Sequence, residues 1–305
     1  MQLTRRKVIA GATGLAVAAA MPMRAWSQTT LALHDGAELI TISDGTLTFP
    51  EAFVIGDMPA EEARAILRAA GENGPEYKPA CNVTLLRRGD EVVLFDTGAG
   101  PDFMASAGRL PDALAAAQID PGDITKVVFT HAHPDHLWGV LDDFDEPMFY
   151  NAHHMMGAAE LAYWADPDTA NTIGDMRQSF AAGASRRLGL MDGLIEPFDA
   201  GDQVAPGVEA LLLPGHTPGH MGFIIDAGAQ AAMIIGDAVG NHHLGFVRPE
   251  WQAPADQEGA LAAATRVALL DRLAADEMTV IGYHLPAGGI GKVARDTTGY
   301  VYIPA

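Results

Sequence analysis

Three histidines and an aspartate stand within six positions of one short segment. Residues 131–136 read His-Ala-His-Pro-Asp-His, directly after the apolar run at 127–129. Imidazole nitrogens and carboxylate oxygens are the ligands that suit zinc and its neighbours among the first-row metals. His131 and His133 are predicted to point the same way, because side chains of an extended segment alternate with period two. Asp135 and His136 diverge from that pair, so the segment predicts ligands for two neighbouring ions.

Five apolar runs of the sequence end, directly or through a short turn, at a histidine or an aspartate. They lead to Asp96, His131, His216, Asp237 and His284. A rigid sheet positions a site at its rim through side chains at the ends of its strands. The sequence therefore predicts that these residues meet at one edge of a β-sheet scaffold.

Apolar periodicity predicts the elements that carry these residues. Predicted strands cover 39–42, 47–49, 83–87, 92–95, 127–129, 148–150, 208–213, 221–225, 232–235, 278–281 and 300–303. Predicted helices cover 60–70, 110–117, 153–164 and 256–275, with a substrate-facing insertion, helical in pieces, over 169–194. No repeat and no long linker interrupts the pattern, so we expect one mature domain over 28–305.

The first 27 residues are predicted to be an export signal. Residues 4–9 read Thr-Arg-Arg-Lys-Val-Ile, a run of apolar and small residues covers 10–21, and Ala25-Trp26-Ser27 offers a cleavage site. The run is too short and too rich in Ala and Gly to span a membrane. Adjacent arginines are typical of a twin-arginine signal, and an ordinary secretory signal is the alternative. The mature protein is expected to be periplasmic or secreted.

The charge balance argues against two classes of partner. The chain carries 39 Asp and Glu against 19 Lys and Arg, a formal net charge of −20, and the predicted signal contains four of the basic residues. So acidic a protein repels phosphate backbones and anionic lipid head groups, so we expect neither nucleic acid nor membrane as a partner. Cys81 is the only cysteine, and it is more typical of a packed small hydrophobe than of a nucleophile.

The whole pattern resembles the metallo-β-lactamase superfamily. It comprises the motif at 131–136, then His216 in Leu-Pro-Gly-His-Thr-Pro-Gly-His at 213–220, then Gly236-Asp237 and His284. The resemblance implies an α+β fold, a four-layer αββα sandwich with a binuclear metal centre at one edge of the sheets. It also implies a bridging role for Asp237 between two ions, one held by His131, His133 and His216 and the other by Asp135, His136 and His284.

Ligand types and two further segments suggest a subgroup. Asp237 stands where the zinc-cysteine β-lactamases place a cysteine, which favours the branches with a fully binuclear site. Arg-Pro-Glu-Trp at 248–251 and the glycine-rich tail at 282–291 resemble the methyl parathion hydrolase and quorum-quenching lactonase group. Small lactonases carry a tyrosine three residues after the bridging aspartate, whereas this chain has Gly240, which favours the methyl parathion hydrolase side.

These features predict an exported metal-dependent hydrolase of a small-molecule ester, lactone or phosphotriester. Two divalent ions roughly 3.5–4 Å apart can share a hydroxide, because a bound metal lowers the pKa of water towards about 7. That hydroxide attacks the substrate, with Asp237 and Asp135 as the catalytic carboxylates. Zinc is the expected metal, with manganese, iron, cobalt and nickel as alternatives. Analogy with related hydrolases suggests a homodimer.

Other functions of the same scaffold stay open at this point. A thioester hydrolase of the glyoxalase II kind and a mononuclear-iron sulfur dioxygenase are alternatives, and a non-catalytic metal-binding protein is a further one. Asp96 is expected either to orient a ligand histidine or to shape a turn.

Several further residues attract attention by their type. His220 is expected to be structural, and the pairs His153-His154 and His242-His243 are expected to lie at the surface, with His242 or His243 within reach of substrate. The candidate walls of a substrate pocket are Phe149, Trp164 and Trp251.

Overall fold

A computed structural model describes residues 28–226, 228 and 231–305 of the protein. The predicted export signal at 1–27 lies outside these residues. The strands are β1 (Gln28–Ala32), β2 (Glu38–Thr46), β3 (Phe49–Pro50), β4 (Glu76–Tyr77), β5 (Ala80–Arg88), β6 (Glu91–Phe95), β7 (Lys126–Phe129), β8 (His153–Gly157), β9 (Ile195–Phe198), β10 (Gln203–Ala205), β11 (Val208–Leu212), β12 (Met221–Ile225), β13 (Ala232–Ile234), β14 (Thr279–Ile281), β15 (Ile290–Arg295) and β16 (Tyr300–Pro304).

Helices connect these strands and cover the outside of the molecule. They are α1 (Glu51–Ile55), α2 (Ala60–Ala69), α3 (Leu110–Ala116), α4 (Pro134–Leu137), α5 (Ala158–Ala165), α6 (Thr169–Thr172), α7 (Gln178–Leu190), α8 (His242–Val247) and α9 (Gly259–Ala275). Short 3-10 turns lie at Pro121–Asp123, Trp138–Val140, Asp175–Arg177 and Ala287–Gly289. In the described part of the chain, no helix is long and apolar enough to cross a membrane.

Two seven-stranded sheets form from the two halves of the described chain. The first has the order β1-β2-β5-β6-β7-β8-β9 and the second the order β10-β11-β12-β13-β14-β15-β16. Strands β6 to β9 run parallel, as do β13 and β14. Parallel neighbours need crossover connections, which α3, α4 and α5 to α7 provide in the first sheet and α8 and α9 in the second. The carboxyl ends of the parallel strands therefore meet at one edge.

The two sheets pack face to face with helices on both outer faces. The inner core contains Val93, Phe95 and Val128 of the first sheet and Phe223 and Ile281 of the second, and the rings of Phe95 and Phe223 lie 5.1 Å apart. The outer cores contain residues of α3, α5 and α7 on one side and of α9 on the other. Each sheet thus buries both faces, which confirms the predicted αββα sandwich.

Some predicted elements were wrong. Residues 148–150, predicted as a strand, form a turn, and residues 153–157, predicted as the start of a helix, form β8. β8 is a strand because it pairs in parallel with β7, with His154 opposite Val127, and Met155 and Met156 are buried there. The long helix begins at Gly259 rather than at 256. Strands β4, β9, β10 and β15 and helices α1, α4 and α8 were not predicted.

Candidate metal centre

The motif at 131–136 follows the carboxyl end of β7, as predicted. His131 and His133 lie in the extended segment before α4, whereas Asp135 and His136 belong to its first turn. The rings of His131 and His133 have centroids 4.7 Å apart. Pro134 stands at the first position of α4, where its missing N–H costs nothing and its fixed φ favours the helix. The change from extended chain to helix separates the two pairs of side chains.

Two overlapping groups of side chains come together at this edge of the sheets. One contains His131, His133, His216 and Asp237, and the other contains Asp135, His136, Asp237 and His284. Within each group the potential ligand atoms lie within 4.8 Å of one another. The structure therefore brings together all seven residues that the sequence singled out as metal ligands, and Asp237 is common to both groups.

Asp237 is central to this arrangement. Its Oδ2 atom lies 3.4 Å from Nε2 of His216 and 3.1 Å from Nε2 of His284, while its Oδ1 atom lies 3.2 Å from Nε2 of His136. Oδ2 of Asp135 lies 3.3 Å from Nε2 of His284. Such distances are expected between ligand atoms that surround a shared metal position.

The buried polar atoms of the site fit metal ions. Nε2 of His131, Nε2 of His136, Oδ2 of Asp135 and Oδ1 of Asp237 are buried and have no hydrogen-bond partner in the described chain. An unpaired buried polar atom costs free energy, and a metal ion that accepts its lone pair offsets that cost. Imidazole and carboxylate donors also match the preference of zinc. We conclude that the residues present suit two divalent ions.

The electrostatics differ between the two groups. Burial lowers the pKa of His131 and His133 well below its ordinary value, so both imidazoles are neutral. Burial raises the pKa of Asp237, but His284 and His136 outweigh it and hold that pKa well below the ordinary value. Neutral imidazoles and an ionised carboxylate are the forms that bind a metal ion.

Burial lowers the pKa of His136 and His284, but Asp237 and Asp135 outweigh it and hold that pKa well above its ordinary value. These two imidazoles therefore carry protons that a metal ion would displace on binding.

Hydrogen bonds behind the site orient the histidine rings. Nδ1 of His136 donates to Oδ2 of Asp96 at 2.8 Å, and Nδ1 of His284 donates to the carbonyl oxygen of Ala80 at 2.7 Å. Asp96 also accepts the backbone N–H of Thr130 at 2.7 Å. These bonds select the tautomer that directs Nε2 into the cluster. Of the two roles expected for Asp96, the structure thus shows the orienting one.

His216 has an orienting partner that sequence reasoning missed. Its Nδ1 atom donates to Oδ1 of Asp256 at 3.0 Å, and Oδ2 of Asp256 accepts from Nη2 of Arg266 at 2.6 Å. All three side chains are buried. The sequence had indicated Asp256 only as the start of a helix. Its proximity to a histidine 40 residues away carries no local signal.

Glu160 is a second residue that the sequence analysis missed. Its fully buried carboxylate accepts hydrogen bonds from the N–H of Ala132 at 3.0 Å, the hydroxyl of Thr217 at 2.7 Å and the N–H of Gly219 at 3.0 Å. Nε1 of Trp164 donates to it at 2.6 Å. One carboxylate thereby joins the loop of His131 and His133 to the loop of His216.

His220 and Tyr283 also hold the site from behind. Nδ1 of His220 donates to the carbonyl oxygen of Leu213, and Nε2 accepts the N–H of Asp237 at 2.9 Å, which agrees with the structural role expected for His220. The hydroxyl of Tyr283 donates to the carbonyl oxygen of Asp135 at 2.6 Å, and its ring lies 3.9 Å from that of His136. Both residues therefore fix backbone or rings next to the ligand atoms.

A cavity of about 320 Å³ opens directly over the clusters. Asp135, Asp237 and His284 lie on its wall, and aromatic and aliphatic side chains form much of the remainder, including Leu47, Phe49, Phe53, Val54, Phe103, Met176, Phe180 and Pro254. Such a pocket suits a small molecule with an apolar part next to its reacting group.

The aromatic residues expected to line this pocket do not do so. Trp164 is fully buried behind His133, Phe149 is buried in the outer core of the first sheet, and Trp251 packs against the cluster around α2. Their type predicted burial correctly, but only the packing decides which aromatic residue faces the cavity.

The remaining histidines lie outside the two groups. His153 and His154 belong to β8 rather than to a helix. The surface position expected for His154 was wrong: its side chain is buried, because β8 lies between β7 and β9 inside the first sheet. Nδ1 of His242 accepts a hydrogen bond from the hydroxyl of Tyr77 at 2.9 Å. Within the described chain, Tyr77 lines the cavity, whereas His242 and His243 do not.

Comparisons with known proteins agree with this geometry. A probable metallo-hydrolase of Mycobacterium tuberculosis is 28% identical over 198 residues, which are 57% of this chain and 61% of that protein. The N-acyl homoserine lactonase AiiB of Agrobacterium fabrum is 26% identical over 199 residues, 58% of this chain and 67% of that protein. The chain thus spans about three fifths to two thirds of the length of these curated relatives.

Two solved structures share the fold over nearly their whole length. The dizinc quorum-quenching lactonase AidC, in complex with a product, has a TM-score of 0.85 at 24% identity, covering 92% of this chain and 98% of its own. The hydrolase AbOPH has a TM-score of 0.84 at 25% identity with the same coverage. The family model described as the metallo-beta-lactamase superfamily matches residues 78–284, which include all seven residues of the two groups. This chain belongs to the metallo-β-lactamase superfamily.

Proposed function

We propose that this chain is a binuclear metal-dependent hydrolase that opens lactones and esters. The observation that carries the proposal is the pair of histidine and aspartate groups that share Asp237 at the base of an apolar cavity. A site for two ions beside an apolar pocket suits hydrolysis of a small substrate whose reacting carbonyl lies next to an apolar part.

The ligand assignment follows from the two groups. His131, His133 and His216 would hold the first ion, Asp135, His136 and His284 would hold the second, and Asp237 would contribute to both. Zinc is the metal we propose, because the donor set is dominated by imidazole. When bound, two such ions polarise the carbonyl oxygen of a substrate and lower the pKa of water towards about 7.

The protein's own side chains supply position and orientation. The carboxylate of Asp237 reaches both groups and keeps them at a fixed separation. Oδ2 of Asp135 lies among the ligand atoms of the second group, 3.3 Å from Nε2 of His284. We assign to this oxygen the binding of the second ion and to the other oxygen of the same carboxylate the orientation of the attacking water. The apolar walls around Phe53 and Phe180 bind the apolar part of the substrate and exclude bulk water from the reacting carbonyl.

Lactones are the first substrate class to test, because N-acyl homoserine lactonases of Agrobacterium fabrum are among the relatives. Phosphotriesters are the second class. Gly240 lines the cavity, and apart from Gly240 and its two chain neighbours, no atom of the described residues lies within 4 Å of the position that a Cβ would occupy there. That open space favours a bulkier tetrahedral centre, as the proposed grouping with methyl parathion hydrolase would require.

The decisive experiment measures hydrolysis and metal content on one sample of residues 28–305. The substrates are a long-chain N-acyl homoserine lactone, a simple aryl ester and methyl parathion. We expect two metal ions per chain, hydrolysis of at least one substrate and a loss of rate of more than about a hundredfold in Asp237→Ala. Asp192→Ala, at an exposed position, is the matched control. One ion per chain with no hydrolysis would contradict the proposal and favour a mononuclear enzyme.

We also propose export through the twin-arginine route. The support is the pattern at 4–27 in the sequence, with adjacent Arg5 and Arg6 before an apolar run. Fractionation of cells that express the full chain should find the processed protein in the periplasm or medium. A variant with Arg5→Lys and Arg6→Lys should accumulate unprocessed in the cytoplasm. Unchanged export of that variant would point to the ordinary secretory route.

A further inference from the structure

Arg177 is a half-buried cation on the wall of the cavity over the metal centre. It ends the 3-10 turn Asp175–Arg177, next to Met176, which is 69% exposed at the mouth. Nη2 of Arg177 donates to the carbonyl oxygen of Pro254 at 2.7 Å and to that of Asp256 at 3.2 Å. In the described residues, Arg177 is the only Lys or Arg side chain that lines this cavity.

Arg177 makes no direct ion pair with a carboxylate in the described chain, unlike two other arginines. Arg266 lies 2.6 Å from the carboxylate of Asp256, and Arg187 lies 2.9 Å from that of Asp102. Across the described chain, by contrast, no carboxylate oxygen lies within 4.0 Å of the Arg177 guanidinium, whose partners are backbone carbonyl oxygens. The carboxylate of Asp256 acts on Arg177 only from beyond ion-pair distance. A partly desolvated cation whose hydrogen bonds go to neutral carbonyl oxygens therefore gains from an anion that enters the cavity.

Arg177 is the side chain of this cavity that can bind an anion, because the carboxylates in the lining already have partners of their own. Asp135 and Asp237 are surrounded by imidazoles, and the carboxylate of Asp256 is occupied by His216 and Arg266. Much of the remaining wall is apolar. The cavity therefore offers three different environments to one small molecule: a metal centre at its base, an apolar wall and a single guanidinium near its mouth.

We propose that Arg177 determines specificity by selecting ester or lactone substrates that carry a second, non-reacting carboxylate. The substrate has its hydrolysed carbonyl at the metal centre, an apolar spacer along the wall and an anionic end at the guanidinium. A guanidinium binds a carboxylate through two parallel hydrogen bonds, which gives direction as well as charge. This inference rests on the proposed hydrolase function and adds the chemistry of the substrate's distal end.

The test compares matched pairs of 4-nitrophenyl esters. One member of each pair is the monoester of a linear dicarboxylic acid of six to eight carbons, whose carboxylate does not readily form a cyclic anhydride, and the other is the ester of the monocarboxylic acid of equal length. For the holoenzyme we expect a KM about tenfold lower for the best anionic member, with similar kcat. Arg177→Met should remove this preference and change kcat on the neutral ester less than about threefold, because Arg266 and His216 still hold Asp256.

Two variants separate charge recognition from a structural role. Arg177→Lys should keep part of the preference, because it keeps the charge but loses the planar pair of donors. Arg186→Met removes a charge from an exposed arginine that pairs with Asp145 outside the cavity, and it should keep the full preference. A wild-type enzyme with no preference, or an equal loss on both esters in Arg177→Met, would overturn the inference.

A binding measurement makes the result independent of turnover. The 4-nitroanilides of the same acids resist hydrolysis, and calorimetric titration of the holoenzyme should show about tenfold tighter binding of the anionic anilide in wild type only. If no ester is hydrolysed, the proposed function fails while this titration still decides the role of Arg177. Equal binding of the two anilides to the wild-type protein would refute anion selection even if both esters are hydrolysed.

Discussion

The carboxylate of Glu160 accepts a hydrogen bond from the hydroxyl of Thr217 at 2.7 Å and thereby holds the loop of His216. Its other oxygen accepts the N–H of Ala132, between His131 and His133, at 3.0 Å. Three histidines from two distant parts of the chain are thus placed by one buried side chain. The geometry of the first metal group depends on a residue that is not itself a ligand.

Replacing Glu160 by Gln should weaken both the fold and the first metal group. The amide NH₂ would face N–H or O–H donors that now point at a carboxylate oxygen, which costs about 1–3 kcal/mol of unfolding free energy. Metal affinity should fall by about tenfold or more, as for other residues that orient ligands. Urea unfolding and a competitive zinc titration measure the two effects. Glu209→Gln, at an exposed position of β11, is the control, and equal behaviour of both variants would contradict the prediction.

Replacing Asp256 by Ala should be strongly destabilising. Arg266, which is 3% exposed, would lose the carboxylate at 2.6 Å and remain as an unpaired buried charge, at a cost of about 3–5 kcal/mol. His216 would lose its orienting acceptor in the same variant. The double variant Asp256→Ala with Arg266→Met should recover much of the unfolding free energy but not the metal affinity. Recovery of both the unfolding free energy and the metal affinity in the double variant would show that Asp256 does not act through His216.

Metal removal should lower the thermal stability of the protein. Each bound ion stabilises the native state by about 4 kcal/mol when its free concentration exceeds Kd a thousandfold, which corresponds to a shift of roughly 10 °C for a chain of this size. Calorimetry of the holoprotein with and without a chelator measures the shift, and added zinc should reverse it. The Asp237→Ala variant should show a much smaller shift. A chelator-insensitive Tm in the wild-type protein, after metal loss is verified, would count against the two-ion site.

Asp44 should make stability depend on pH. Burial raises the pKa of Asp44 to about 6 from 3.8, although the N–H groups of Ala99, Gly108 and Leu110 donate to it and oppose this shift. Because the folded protein holds this proton more tightly than the unfolded chain, its contribution is fully present below pH 3.8 and is lost as pH rises through about 6. The full difference is about 3 kcal/mol.

The Asp44→Asn variant isolates this effect from other titrations. From pH 4 to pH 7, the unfolding free energy of the wild type should fall by up to about 3 kcal/mol relative to that of Asp44→Asn. Urea denaturation at several pH values measures that difference. A constant difference across this pH range would show that the pKa of Asp44 is the same in the folded protein and in the unfolded chain.

The sequence by itself determined the chemistry of the site. His131, His133, Asp135, His136 and the more distant ligands could be recognised because residue type and spacing decide which metals a segment can bind. Their common location could also be predicted, since each apolar run that precedes them forms a strand and strands end at the rim of a sheet. The αββα fold followed from a family resemblance carried by those same residues.

The tertiary structure alone decided which residues support the ligands and which face the substrate. Residues 153–157 became a strand through pairing with β7, and Glu160, Asp256 and Arg177 acquired their roles through contacts with residues far away in the chain. Trp164 lies behind the site while Phe53 and Phe180 line the cavity. Local periodicity and composition do not predict such contacts. The contacts depend on how separate elements pack against one another rather than on the preferences of any one segment.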